Sequence, residues 1–163
     1  MNPRSIRFRL TVWYAGLFTL LLALFGGVIY IALERFLERN LSDTLAKDAQ
    51  TIGESWLRDV NQSGPGYVAA EIEEHFAPSI TGRFVRLTRQ SDGTVLYQSS
   101  APESGAFDPR QIGVKRIDAS QSLREEHLPD NKELLIFSLP FSDRAGNQYL
   151  IETGAPYDQV ERV

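Results

Sequence analysis

Apolar and polar residues are distributed along this chain in three successive regimes. From Leu10 to Leu33 the sequence LTVWYAGLFTLLLALFGGVIYIAL runs for 24 residues without an ionisable acid or base. As a helix at 1.5 Å per residue it covers about 36 Å, enough to cross a hydrocarbon core of about 30 Å. From Glu34 to Val60 the apolar positions recur at Leu37, Leu41, Leu45, Ala49, Ile52, Trp56 and Val60. Steps of four and three predict one buried stripe on a helix continuing the first. The stripe suits packing on a sheet or on a second copy in a dimer. Asn61 to Gly66 carries turn and breaker residues that end it, and a shorter helix is predicted over about Tyr67–Phe76, before Pro78.

After Gly82 the period changes to two. Arg83–Arg89 and Thr94–Gln98 flank Ser91-Asp92-Gly93, which predicts a β-hairpin. Ser99–Pro109 reads as a loop, a short strand is expected over about Gly113–Ile117, and Asp118–Lys132 reads as charged and turn-rich. Glu133–Phe141 and Gln148–Thr153 predict a second hairpin around Asp143–Asn147, with Pro140 at the end of its strand, where a missing donor is tolerated. Pro156 to Val163 opens like a helix and reads as one cut short. The expected class is α+β, with about five antiparallel strands.

Charge and composition narrow the picture. Three Arg and no acid precede Leu10, whereas 14 basic and 21 acidic residues follow. That asymmetry predicts a cytoplasmic N-terminus over 1–9, a membrane helix over 10–33 and an exported remainder. A cleaved signal peptide fits less well: its apolar region is shorter, and here a bulky Tyr30 stands where a small residue is needed. Ala15, Thr19, Ala23 and Gly27 stand four apart, a spacing that suits close helix packing in lipid but also arises from ordinary membrane-helix composition. Without cysteine there is no disulfide, thiolate metal site or thiol nucleophile. A net charge of −4 gives no support to nucleic-acid binding.

Candidate chemistry is sparse. Glu73-Glu74-His75 and Glu125-Glu126-His127 offer imidazoles beside carboxylates, but adjacent helical residues do not share a face, so both His are expected in solvent rather than at a metal. Arg83, Arg86 and Arg89 could line an anion pocket and are expected instead to project to solvent. No catalytic residue, cofactor-binding residue or metal ligand is assigned.

The basic start Arg4–Leu10 leading into the anchor, Phe84-Val85-Arg86-Leu87 with Asp92–Tyr97, and Tyr149–Ala155 with Asp158, Val160 and Glu161 resemble the N-terminal input half of a bacterial two-component sensor histidine kinase, of the heavy-metal-sensor-like family. The resemblance implies a periplasmic PAS-like sensor domain over 34–155 and a lead into a second membrane span over 156–163. It implies an inner-membrane homodimer that receives a periplasmic stimulus. ATP and Mg would serve a kinase core outside this chain, which would signal to a cytoplasmic response regulator. Glu126-His127-Leu128-Pro129 does not match a phosphoacceptor motif, and no glycine-rich nucleotide loop is present, so no phosphoryl transfer is expected of this chain. The competing reading is a single-pass envelope assembly or scaffolding protein with an exported α+β domain.

Overall fold

The computed structural model describes residues 6–114, 121–128 and 132–156. The chain divides into two compact units, Met1–Arg39 and Asn40–Val163. A single helix, α1 (Ile6–Thr51), contributes to both. In the first unit the side chains from Leu10 to Leu33 are exposed, and α1 is long and apolar enough to cross a membrane.

In the second unit the expected stripe is buried: Leu45, Ala49, Ile52, Trp56 and Val60 belong to one apolar cluster, and Leu41 packs against it. Their partners are Val85, Leu87, Leu135, Phe137, Leu139, Tyr149 and Ile151, so the stripe packs on the sheet of its own subunit. Each fully buried aliphatic side chain here contributes about 1.5–3 kcal/mol. The helix changes pitch within this contact, because Ile52–Leu57 is a π-helical turn closed by Arg58 N–H donating to the Gly53 carbonyl at 3.0 Å. The wider turn lets Trp56 and Leu57 both face the core. Gly53 is required at this point, since a Cβ there would lie 2.7 Å from Phe141 Cδ2.

Three helical segments follow: α2 (Val60–Ser63), α3 (Pro65–Phe76) and α4 (Pro78–Thr81). The break falls at Gly64, whose φ of 81° suits glycine, and α3 begins at Pro65 rather than at Tyr67. Proline's fixed φ favours the first helical turn, and the same property starts α4 at Pro78, a helix that periodicity is too short to reveal.

The sheet contains β1 (Phe84–Arg89), β2 (Val95–Gln98), β3 (Ser122–Leu128), β4 (Lys132–Ser142) and β5 (Gln148–Pro156). Their order is β2-β1-β5-β4-β3, with every neighbouring pair antiparallel. The α+β class with five antiparallel strands is as expected, but four details differ. The stretch expected to be turn-rich contains β3, an edge strand whose charged residues disguise its alternation and also protect the open edge. Gly113 and Val114 are not strand, and the rest of the strand expected there lies outside the described residues. Pro140 is not the strand end, since β4 continues to Ser142; pairing with β3 has stopped at Ser138, so no partner on that flank needs its missing donor. Pro156 does not open a helix: it is buried at the end of β5 opposite Leu134, and 157–163 lie outside the described residues.

Candidate functional site

Strand alternation gives the sheet two different faces. Val85 and Leu87 point to the helices, so Phe84, Arg86 and Thr88 point away, toward a second apolar cluster of Phe84, Phe107, Ile112, Leu128, Leu134 and Ile136. Phe107 and Ile112 come from the segment between β2 and β3, which covers this face. A 3₁₀ turn (Pro109–Gln111) shapes that segment, with Asp108 accepting from the Arg110 N–H at its start.

Register assembles a charged group under this cover. Glu152 on β5 stands opposite Arg86 on β1 and Ser138 on β4, and Ser138 stands opposite Ser122 on β3. Arg86 Nε donates to Glu152 Oε2 at 2.6 Å, and Arg124 Nη2 reaches from β3 to Glu152 Oε1 at 2.9 Å. The carboxylate and the Arg86 side chain are 0% and 1% exposed, and Arg124 is 11% exposed. Arg86 also donates to the carbonyls of Ile112 at 2.9 Å and Gly113 at 3.0 Å, and Arg124 donates to Gly113 at 3.2 Å. The Arg86 guanidinium lies 5.3 Å from the centroid of the Phe84 ring. Two guanidiniums thus share one buried carboxylate and clamp the covering segment by its backbone. Glu126, at 3.9 Å from Arg124 Nη1, lies beyond hydrogen-bond distance. Among the described residues, three buried polar atoms, Thr88 Oγ1, Arg124 Nε and Ser138 Oγ, have no hydrogen-bond partner.

Arg86 therefore corrects the expectation that all three strand arginines project to solvent. A spacing of three on a strand puts the middle residue on the opposite face from the other two. Arg83 forms an ion pair with Asp48 of α1, and Arg89 pairs with Asp92 at 3.2 Å.

The helix-covered face is joined to α1 by polar contacts as well. Thr153 Oγ1, on β5, donates to the buried Leu45 carbonyl at 2.8 Å. Tyr97 on β2 donates to Glu73 of α3 at 2.7 Å; burial first, and then this carboxylate, push the phenol's pKa above its ordinary value. At the β4–β5 turn, Asp143 accepts from Asn61 Nδ2 at 3.0 Å, Asn147 Nδ2 at 2.8 Å and the N–H groups of Ala145 and Asn147, both at 2.9 Å. Burial raises its pKa, but the hydrogen bonds outweigh burial and hold the carboxyl below the usual range.

The two histidines are placed on different elements. His75 on α3 lies 5.1 Å from the Trp56 ring, with Nδ1 3.4 Å from the Glu71 carboxylate. His127 on β3 is exposed and faces Glu133 across the hairpin at 3.2 Å. Among the described residues no group of three His, Cys, Asp or Glu side chains could hold a metal ion.

Reading the sequence alone misses Glu152, Arg124, Thr153 and Asp143. The signal for Glu152 was a lone acid inside an otherwise apolar strand, Tyr149-Leu150-Ile151-Glu152-Thr153, which calls for a buried cation. Comparisons with protein-family models, with curated proteins and with solved structures give no match for this chain.

Proposed function

We propose that this chain is the membrane-anchored input module of a two-component sensor histidine kinase, of the type its sequence resembles. In this reading residues 10–33 span the inner membrane with the N-terminus in the cytoplasm. Residues 34–155 form a periplasmic PAS-like domain, and two copies act as a dimer. The autokinase, with its ATP and Mg, and the contact with a response regulator belong to a cytoplasmic core outside this chain. A stimulus on the domain would bias a two-state output through the membrane-connected segments.

One observation carries the proposal. The helix that bears the apolar run also supplies the core stripe of the sheet domain, and β5, the last strand described, is hydrogen-bonded to it through Thr153 and Leu45. Entry helix and exit strand are therefore adjacent, as an input domain held between two membrane helices requires. A scaffold needs no such adjacency.

The test has two parts. A reporter that is active only when exported, fused after Val60, should be active, and protease outside the inner membrane should cut within Ser99–Pro109. The genomic reading frame should continue past Val163 into a second apolar run and a kinase core. Reporter activity confined to the cytoplasm, or a frame that encodes no kinase core, would reject the proposal.

A further inference from the structure

We propose that the first half of the apolar run carries a seat for one anionic phospholipid, in the leaflet that Arg9 borders; the proposal rests on reading residues 10–33 as a membrane span. Two side-chain ridges border the seat. Arg9, Trp13 and Leu17 stand four residues apart, and Leu10 and Tyr14 run beside them. Residues three and four apart are neighbours on a helix surface, so each row forms a ridge. Between the ridges lies a groove of about 420 Å³, lined by Arg9, Leu10, Trp13, Tyr14 and Leu17. Tyr14 and Leu17 also border a second groove, which continues to Phe18 and Leu21. Trp13, Tyr14, Leu17, Phe18 and Leu21 are each more than half exposed, so the track is uncovered along its length.

Length and charge select the occupant. At 1.5 Å per residue the helix rises about 18 Å from Arg9 to Leu21, close to the share of about 15 Å that one leaflet has of a hydrocarbon core of about 30 Å. The track therefore runs from headgroup level to the ends of the acyl chains. Among the described residues that line the two grooves, Arg9 is the one charged residue, and it stands at the headgroup end. No acidic residue precedes Glu34 in the sequence. A second copy packed in parallel would fill the apolar part of the groove but bring its own Arg9, a like charge, to the first.

An anionic phospholipid satisfies both ends. Its acyl chain lies between the ridges, and its phosphate accepts charge-assisted bonds from the Arg9 guanidinium. Trp13, about one turn further in, lies at the depth where an amphipathic ring is favoured between headgroup and chain.

The experiment reconstitutes the full 163-residue chain in vesicles of phosphatidylcholine and phosphatidylglycerol, with one or the other lipid brominated on its acyl chains. Bromine quenches indole fluorescence on contact, and Trp56, buried in the core of the sheet domain, is out of reach of the chains. Quenching of Trp13 then gives the relative affinity of the seat for the two lipids. Phosphatidylglycerol should be preferred about fivefold, the ratio that one basic side chain at an anionic surface supplies, and less so in high salt. Arg9→Gln should bring the ratio close to one, and Arg9→Lys, which keeps the charge, should retain most of it. Arg35→Gln, a change at an exposed arginine beyond Leu33, should leave it unchanged. Three results would overturn the assignment: equal quenching by the two lipids, a preference that survives Arg9→Gln, or a Trp13 that neither lipid quenches, which would seat a protein helix in the groove. Both leaflets carry the brominated lipid, so the ratio is the same for either orientation of the chain, and its failure is separate from that of the membrane topology test.

Discussion

The two faces of the sheet bury residues by opposite means. On the helix side, Val85, Leu87, Leu135, Ile151 and their neighbours meet the apolar stripe of α1 with shape and little charge. On the other side, Arg86, Glu152 and Arg124 occupy positions that an ordinary core would fill with Val or Leu, and the covering segment is held by carbonyl acceptors. An apolar face tolerates volume-conserving change and responds weakly to solutes. A buried ion network has a large desolvation cost and is weak evidence for stability. Its presence on one face only assigns the stability of the domain to the helix side rather than to the loop side.

The largest expected effect tests that division. Glu152→Ala leaves two buried guanidiniums without their carboxylate and should destabilise the domain by about 3–5 kcal/mol in urea unfolding. Replacing the whole network, Arg86→Met with Arg124→Leu and Glu152→Met, removes all three of its charges and should be neutral or stabilising by about 1–4 kcal/mol. A triple variant as unstable as Glu152→Ala would show that the loop side carries stability after all, and the contrast between the faces would fail.

On the helix side the corresponding test is steric. Gly53→Ala puts a methyl group into the space of the Phe141 ring and should cost about 1–3 kcal/mol, although alanine is the better helix former. Phe141→Leu in the same background should recover part of that loss. A Gly53→Ala variant of unchanged or greater stability would mean that the π-helical turn relaxes freely and that this face is less tightly packed than its burial implies.

How much of this was legible in the sequence follows from the same contrast. The stripe from Leu41 to Val60 and both hairpins are local patterns, with the period carried by residues close together in the chain. The charged network is not local: Arg86, Arg124 and Glu152 come from three strands and meet only through register. The edge strand β3 was hidden because Arg124, Glu125, Glu126 and His127 look like a solvated turn when their partner strand is unknown. The π-helical turn was hidden because steps of four and three fit an α-helix equally well, and only a backbone bond spanning five residues, from Arg58 N–H to the Gly53 carbonyl, separates the two.

The third prediction concerns pH at the junction of helix and turn. Hydrogen bonds to Asp143 hold its folded pKa below the unfolded value of about 3.9. A depressed carboxylate contributes stability that is fully present above the unfolded pKa and is lost as pH falls through the folded one. Unfolding at stepped pH should therefore show a loss of stability below about pH 4. Asp143→Asn should cost about 2 kcal/mol at pH 7, and its deficit relative to the parent should shrink as the pH falls below about 4. A deficit that stays constant with pH would assign Asp143 a role in turn shape rather than in charge.

The smallest effect separates the buried clamp from the surface charge on the same segment. Arg110 is 85% exposed and pairs with Asp108 at 3.1 Å, four residues before Val114 at the end of the described cover. Exposed pairs contribute about 0–1 kcal/mol, because solvent screens them and holding two long side chains together costs entropy. Arg110→Ala should therefore leave the urea midpoint nearly unchanged, and any small shift should vanish in high salt. The bond from Arg86 to the Ile112 carbonyl is buried and that to Gly113 partly so, and salt does not reach them in the same way. Hydrogen exchange within residues 99–114 then becomes the deciding measurement. If exchange accelerates in Arg110→Ala as much as in Arg124→Lys, the segment is held from its surface, and the distinction between an apolar face that packs by shape and a charged face that holds its cover by buried bonds loses its basis.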